Sequence, residues 1–132
     1  MKEPQGFNQR KHIRVNIQLD MRMVLVDAKA AGLLEGKERV RLRQGVITDL
    51  SLAGIRVETE GLAPALHFHL LSGAIGIATK FNLPDNAQSV SALTKVARAM
   101  VVADGPKIIL GLSFTEISPS CRQALADFIQ SH

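Results

Sequence analysis

The chain has 132 residues, enough for one hydrophobic core but not for two of useful volume. It is 46% hydrophobic with no Trp or Tyr, so aliphatic side chains must fill the interior, as in a sheet or barrel. The net charge of +4 favours anionic partners, and a lone Cys121 excludes an intrachain disulfide or a cysteine zinc site and fits a reducing, cytoplasmic setting.

Met1 to Arg14 is polar and basic without an apolar centre, so it reads as a flexible arm (residues 1–14) rather than a signal peptide. From Val15 the sequence alternates: Val15, Ile17, Leu19, Met21 and Met23 share one side of a half-buried strand that opens a domain over residues 15–132. Residues 28–45 carry Gly32, Gly36 and Gly45 among basic residues and read as a loop or loose hairpin. Gln44 to Leu52 and Ile55 to Thr59 follow as strands joined at Ala53-Gly54. Leu66 to Leu71 fits either a short strand or part of a long connection. The run from Leu70 to Ala78 contains Ser72 and two glycines, and falls far short of the roughly 20 residues of a membrane span, so a soluble chain without membrane insertion is expected.

Ile75 to Leu83 keeps period two until Pro84-Asp85-Asn86 turns the chain. Leu93 to Ala103 and Lys107 to Thr115 form a hairpin across Asp104-Gly105. Ser118 then caps a helix with Pro119 at its first position and an apolar stripe of Ala124, Leu125, Phe128 and Ile129. The expectation is a mainly β fold: a six-stranded antiparallel barrel with a C-terminal α-helix.

Two short signatures carry chemistry. Arg10-Lys11-His12-Ile13-Arg14 precedes the first strand, and Asp49-Leu50-Ser51-Leu52-Ala53-Gly54 ends the second. Arginine offers a planar fork that fits a phosphate oxygen pair or the edge of guanine. In an extended arm Arg10 and Arg14 point the same way about 13 Å apart. Asp49 and Ser51, two apart, share a strand face opposite Val46, Leu50 and Leu52, outside the core. A carboxylate there accepts from guanine N–H groups, and Gly54 leaves room for a ligand to approach.

With RxxxR ahead of the barrel and DxSxxG on a barrel strand, the chain resembles the PilZ domain family from about Gln9 to Ile129. Gly45-Val46-Ile47-Thr48, the turn at 83–85 and Leu110 to Phe114 resemble it as well. The 34 residues between Arg14 and Asp49 depart from the family spacing and imply an insertion around residues 28–43. The resemblance implies a cytoplasmic receptor for cyclic di-GMP, without catalysis, cofactor or metal. Ligand contacts would come from Arg10, Arg14, Asp49, Ser51 and Gly54, with Gln9 as a possible addition; Arg98, from its place on a strand, is a further one, though it reads first as a solvent-facing charge. It also implies an unidentified protein partner controlling motility, polysaccharide or biofilm output, and one ligand or a stacked pair.

Other readings compete. Arg39 to Arg43 is a second RxxxR, and Asp49 with Ser51 could simply stabilise a turn. An interaction module that binds no nucleotide keeps the same fold. A single-stranded nucleic-acid barrel suits the charge, but lacks Trp and Tyr stacking platforms. His67 and His69 share a face only if extended, and no third ligand completes a metal site. Cys121 reads as a packing residue on the last helix. No nucleophile elbow or phosphate-binding glycine loop is present.

Overall fold

A computed structural model describes residues 13–29, 32, 34, 41–84, 88–102 and 105–131. Six strands form a closed antiparallel barrel in the order β1-β2-β3-β6-β5-β4. They are β1 (Val15–Asp27), β2 (Arg43–Leu50), β3 (Gly54–Glu60), β4 (Ile75–Asn82), β5 (Ser89–Val101) and β6 (Lys107–Ile117). Helix α1 (Pro64–Leu71) lies between β3 and β4, and α2 (Pro119–Gln130) ends the chain. Closure pairs every strand on both sides, so the barrel presents no open edge.

The expected alternation holds on β1, where Val15, Met21 and Met23 are buried, Ile17 and Leu19 are half-buried against the core, and Asn16, Gln18, Asp20 and Arg22 are exposed; it runs on to buried Leu25. These side chains meet Ile47, Val57, Ile77, Val90 and Leu110 from the other strands in one aliphatic core. Fully burying such a side chain stabilises by about 1.5 to 3 kcal/mol, which is how a chain without Trp or Tyr holds a barrel together. Three buried threonines stay hydrogen-bonded: Thr59 donates to Gln44 O at 2.8 Å, Thr79 to Ala92 O at 3.2 Å and Thr94 to Ile77 O at 2.8 Å.

Leu66 to Leu71 is neither strand nor loose connection but the body of α1. Pro64 fits the first turn because a missing N–H costs nothing there, and Gly73 at φ +84° ends the helix with its N–H on Leu70 O. Leu70 is buried against the barrel, while Phe68 and Leu71 are exposed. Helical spacing sends His67 and His69 to different faces; His67 Nε2 lies 3.4 Å from Leu62 O, and His69 packs edge-on against Phe68.

The C-terminal helix starts at the expected cap, with Ser118 Oγ accepting from Cys121 N at 3.2 Å, and it buries Leu125, Phe128 and Ile129. Cys121 is partly buried and its thiol donates to Ser89 O at 3.7 Å. No helix among the described residues is long and apolar enough to cross a membrane. Gln9, Arg10, Arg39, Asp85, Asn86 and Asp104 lie outside the described residues.

Candidate ligand site

The site begins with an irregularity in β2. Across β2 and β3, Ile47 pairs with Val57 but Asp49 with Arg56, so Thr48 is an extra residue on β2. Such a bulge reverses the inward face of the strand. Arg43, Gly45 and Ile47 point inward before it and Leu50 after it, whereas Val46 is only half-buried. The expected inward trio of Val46, Leu50 and Leu52 is corrected to Ile47 and Leu50, with Leu52 packed at the core margin. The register shift also leaves Asp49 half-buried at the barrel wall and carries Ser51 beyond the strand, where it is only 8% exposed rather than outside the core.

Ser51 organises the β2–β3 connection. Its hydroxyl accepts from Ala53 N at 3.1 Å and Gly54 N at 3.2 Å, and donates to Gly54 O at 3.3 Å. That is the full capacity of a serine hydroxyl. Arg122 on α2 donates to Leu52 O at 3.4 Å and ties the same connection to the helix.

Asp49 differs. Its Oδ2 lies 3.7 Å from Arg14 Nη1, and Arg14 is about half exposed. Its Oδ1 is buried and accepts no hydrogen bond among the described residues. A buried acceptor without a donor costs about 1 to 3 kcal/mol.

Strand register extends the site sideways. Asn16 pairs with Asp49, Asp49 with Arg56, Arg56 with Gly111, and Gly111 with Arg98. The last pairing follows a second bulge, at Ala97 on β5. Arg56 and Arg98 are both exposed and flank Gly111, about 10 Å apart across two strand spacings. Arg14, Asp49, Ser51, Gly54, Arg56 and Arg98 all line one cleft of about 440 Å³. Among the described residues, no aromatic side chain lines it.

Four of the expected site residues (Arg14, Asp49, Ser51 and Gly54) therefore meet in one place, and Arg98 joins them. Arg10 and Gln9 lie outside the described residues. Arg56 was missed; its signal was its position two residues after Gly54, on the same strand face. The alternative pair fares differently, since Arg43 points into the barrel at 5% exposure and donates to Gly61 O at 2.8 Å. It belongs to the barrel end and does not line the cleft. Among the described residues, no group of three or more His, Cys, Asp or Glu converges as a metal site.

Comparisons with known proteins bear on the fold and the family. Solved structures with a similar fold include the Bacillus subtilis inhibitor of motility MotI/DgrA, at 19% identity over 92% of this chain and 50% of that one (TM-score 0.65). The PilZ domain of Escherichia coli YcgR, solved with c-di-GMP, matches at 18% identity over 93% of this chain and 90% of that one (TM-score 0.57). PlzA of Borreliella burgdorferi, solved in complex with c-di-GMP, matches at 14% identity over 96% of this chain and 53% of that one (TM-score 0.53). This chain spans about half the length of the Bacillus and Borreliella chains. At these identities the likeness is one of fold. No curated protein matches by sequence. The PilZ domain model matches residues 8–131, and with that match over nearly its whole length the chain belongs to the PilZ domain family.

Proposed function

We propose that this chain is a receptor for cyclic di-GMP that works as an adaptor, not an enzyme. The observation that carries the reading is Asp49 Oδ1, a buried acceptor without a donor among the described residues, in a cleft lined by Arg14, Arg56 and Arg98. Guanine brings the N–H donors this oxygen lacks, and adenine does not bring them in that arrangement. Phosphates and guanine edges suit the forked guanidinium groups. The likeness to PilZ structures solved with this nucleotide supports the same ligand.

In this reading Arg10 and Gln9 reach the ligand from the N-terminal arm, which closes over the cleft on binding. Ser51 and Gly54 act by shaping the β2–β3 connection. The bound state offers a new charged surface to a cytoplasmic protein partner that carries a motility, polysaccharide or biofilm output. A second reading, an interaction module that binds no nucleotide, draws support from the self-contained Ser51 turn, which needs no ligand to complete it.

Calorimetry with cyclic di-GMP, cyclic di-AMP and a short single-stranded oligonucleotide separates these readings. Binding of cyclic di-GMP alone is the expected result. No heat from any of the three would leave the interaction module, and binding of the oligonucleotide would turn the basic barrel into a nucleic-acid binder.

A further inference from the structure

The cleft takes no residue from β1 or β4, yet these two strands carry a larger hollow, of about 700 Å³, on the outside of the barrel. Its floor is a cross-strand row in which Val24 pairs with Ala78 and Ala78 with Leu93. All three are half-buried and sit between inward neighbours such as Leu25, Ile77 and Thr94. Strands with one face on a core ordinarily turn polar residues outward. Here the outward row is apolar across three strands, and Leu42, 56% exposed, stands at its margin.

The adjacent outward row begins with two cations. Arg22 pairs directly with Lys80, so their Cβ atoms are about 5 Å apart. Both are exposed, and neither has an ion-pair partner among the described residues. Like charges directly opposite one another destabilise a sheet, and an anion seated between them reverses the sign of that interaction. Glu116, paired with Leu93 at the far end of the floor, repels a second acid there. The groove is thus polarised, with cations along one side, an aliphatic floor and an acid at one end.

We propose that this groove docks an acidic, apolar segment of a protein partner. A carboxylate sits between Arg22 and Lys80, and aliphatic side chains two positions away lie on Val24, Ala78 and Leu93. Successive outward rows are about 7 Å apart, the spacing of alternate side chains in an extended peptide, which matches an acid and an aliphatic residue in that relation. Groove and cleft share no described residue, so the proposal stands independently of the nucleotide reading.

The test is a titration of the ¹⁵N-labelled full chain with two synthetic peptides, one alternating Glu and Leu and the other alternating Lys and Leu. The acidic peptide should shift the amides of residues 22–24, 78–80 and 91–93. The double variant R22E/K80E should weaken it by about tenfold or more and bind the basic peptide instead. Thermal melts check the fold of the variant, and its cyclic di-GMP titration should match the parent's. Equal binding of both peptides, shifts only around Arg14, Arg56 and Arg98, or no shifts in the groove would overturn the proposal. So would contacts from residues 35–40 of this chain filling the groove in the free protein, or shifts that grow with protein concentration and mark a second copy.

Discussion

Gly54 lies so close to the carbonyl of Leu112 that a Cβ at position 54 would fall on that oxygen. The approach comes from β3 meeting β6, where Gly54 pairs with Ser113 and Phe114 N donates to Ala53 O at 3.0 Å. Glycine is needed here to close the barrel, whatever a ligand also gains from the missing side chain.

Gly54→Ala should therefore cost about 1 to 3 kcal/mol of stability with no ligand present, through forced backbone movement. Gly111→Ala should cost less, because its Cβ would meet the Arg98 stem at 3.7 and 3.9 Å and the Arg98 backbone N at 4.0 Å, all ordinary contact. Urea unfolding of the two variants measures the difference. Equal stabilities would mean that β3 relaxes away from β6 more easily than the pairing suggests.

Asp49→Ala should separate stability from binding. The substitution removes a buried oxygen without a donor among the described residues and a long, partly exposed ion pair to Arg14, of the kind that contributes about 0 to 1 kcal/mol. The ligand-free variant should be as stable as the parent or up to about 1 kcal/mol more stable. Its preference for cyclic di-GMP over cyclic di-AMP should collapse. A marked loss of thermal stability with the preference intact would make Asp49 a turn former.

The barrel was legible in the sequence because burial and alternation coincide on its strands. Val15, Met21 and Met23 show it on β1, and Ser118-Pro119 marks the start of the last helix. The bulges were not legible. Thr48 and Ala97 are extra only relative to the partner strand, so the inward face of β2 and the meeting of Arg98 with Gly111 depend on register rather than on local sequence. Helix α1 hid because its residues are nearly all apolar and show no helical period, and Pro64 and Gly73 were its only punctuation. The row Asp49, Arg56, Gly111, Arg98 joins four strands, and no spacing along the chain encodes it.

Ser51→Ala should weaken the protein before it weakens binding. It leaves the amides of Ala53 and Gly54 without their hydroxyl acceptor in a part-buried connection, a loss of about 1 to 3 kcal/mol. Hydrogen exchange should accelerate first at residues 51–54 and at Phe114, whose amide bonds Ala53 O. If affinity falls while exchange and melting stay unchanged, Ser51 meets the ligand directly.

The flanking arginines provide the last prediction. Among the described residues the cleft has no aromatic side chain, and the planes they offer a purine are the guanidinium groups of Arg56 and Arg98 on either side of Gly111. Lysine keeps the charge and discards the plane. Alanine discards both, with the loss of a charge-assisted contact of about 1.5 to 3 kcal/mol. If the planes matter, Arg98→Lys and Arg56→Lys should each lose most of the cyclic di-GMP affinity that the alanine variants lose, and raising the salt concentration should narrow the gap only slightly. If charge alone matters, the lysine variants should bind like the parent at low salt, and all forms should converge as salt rises. Calorimetry of the four variants at two ionic strengths distinguishes the outcomes. Arg14→Ala serves as the reference for losing a guanidinium beside Asp49, and Arg43→Ala should lower stability and leave affinity untouched, because its guanidinium bonds Gly61 inside the barrel. Parent-like affinity in all four Arg56 and Arg98 variants would confine the site to Asp49, Arg14 and the arm.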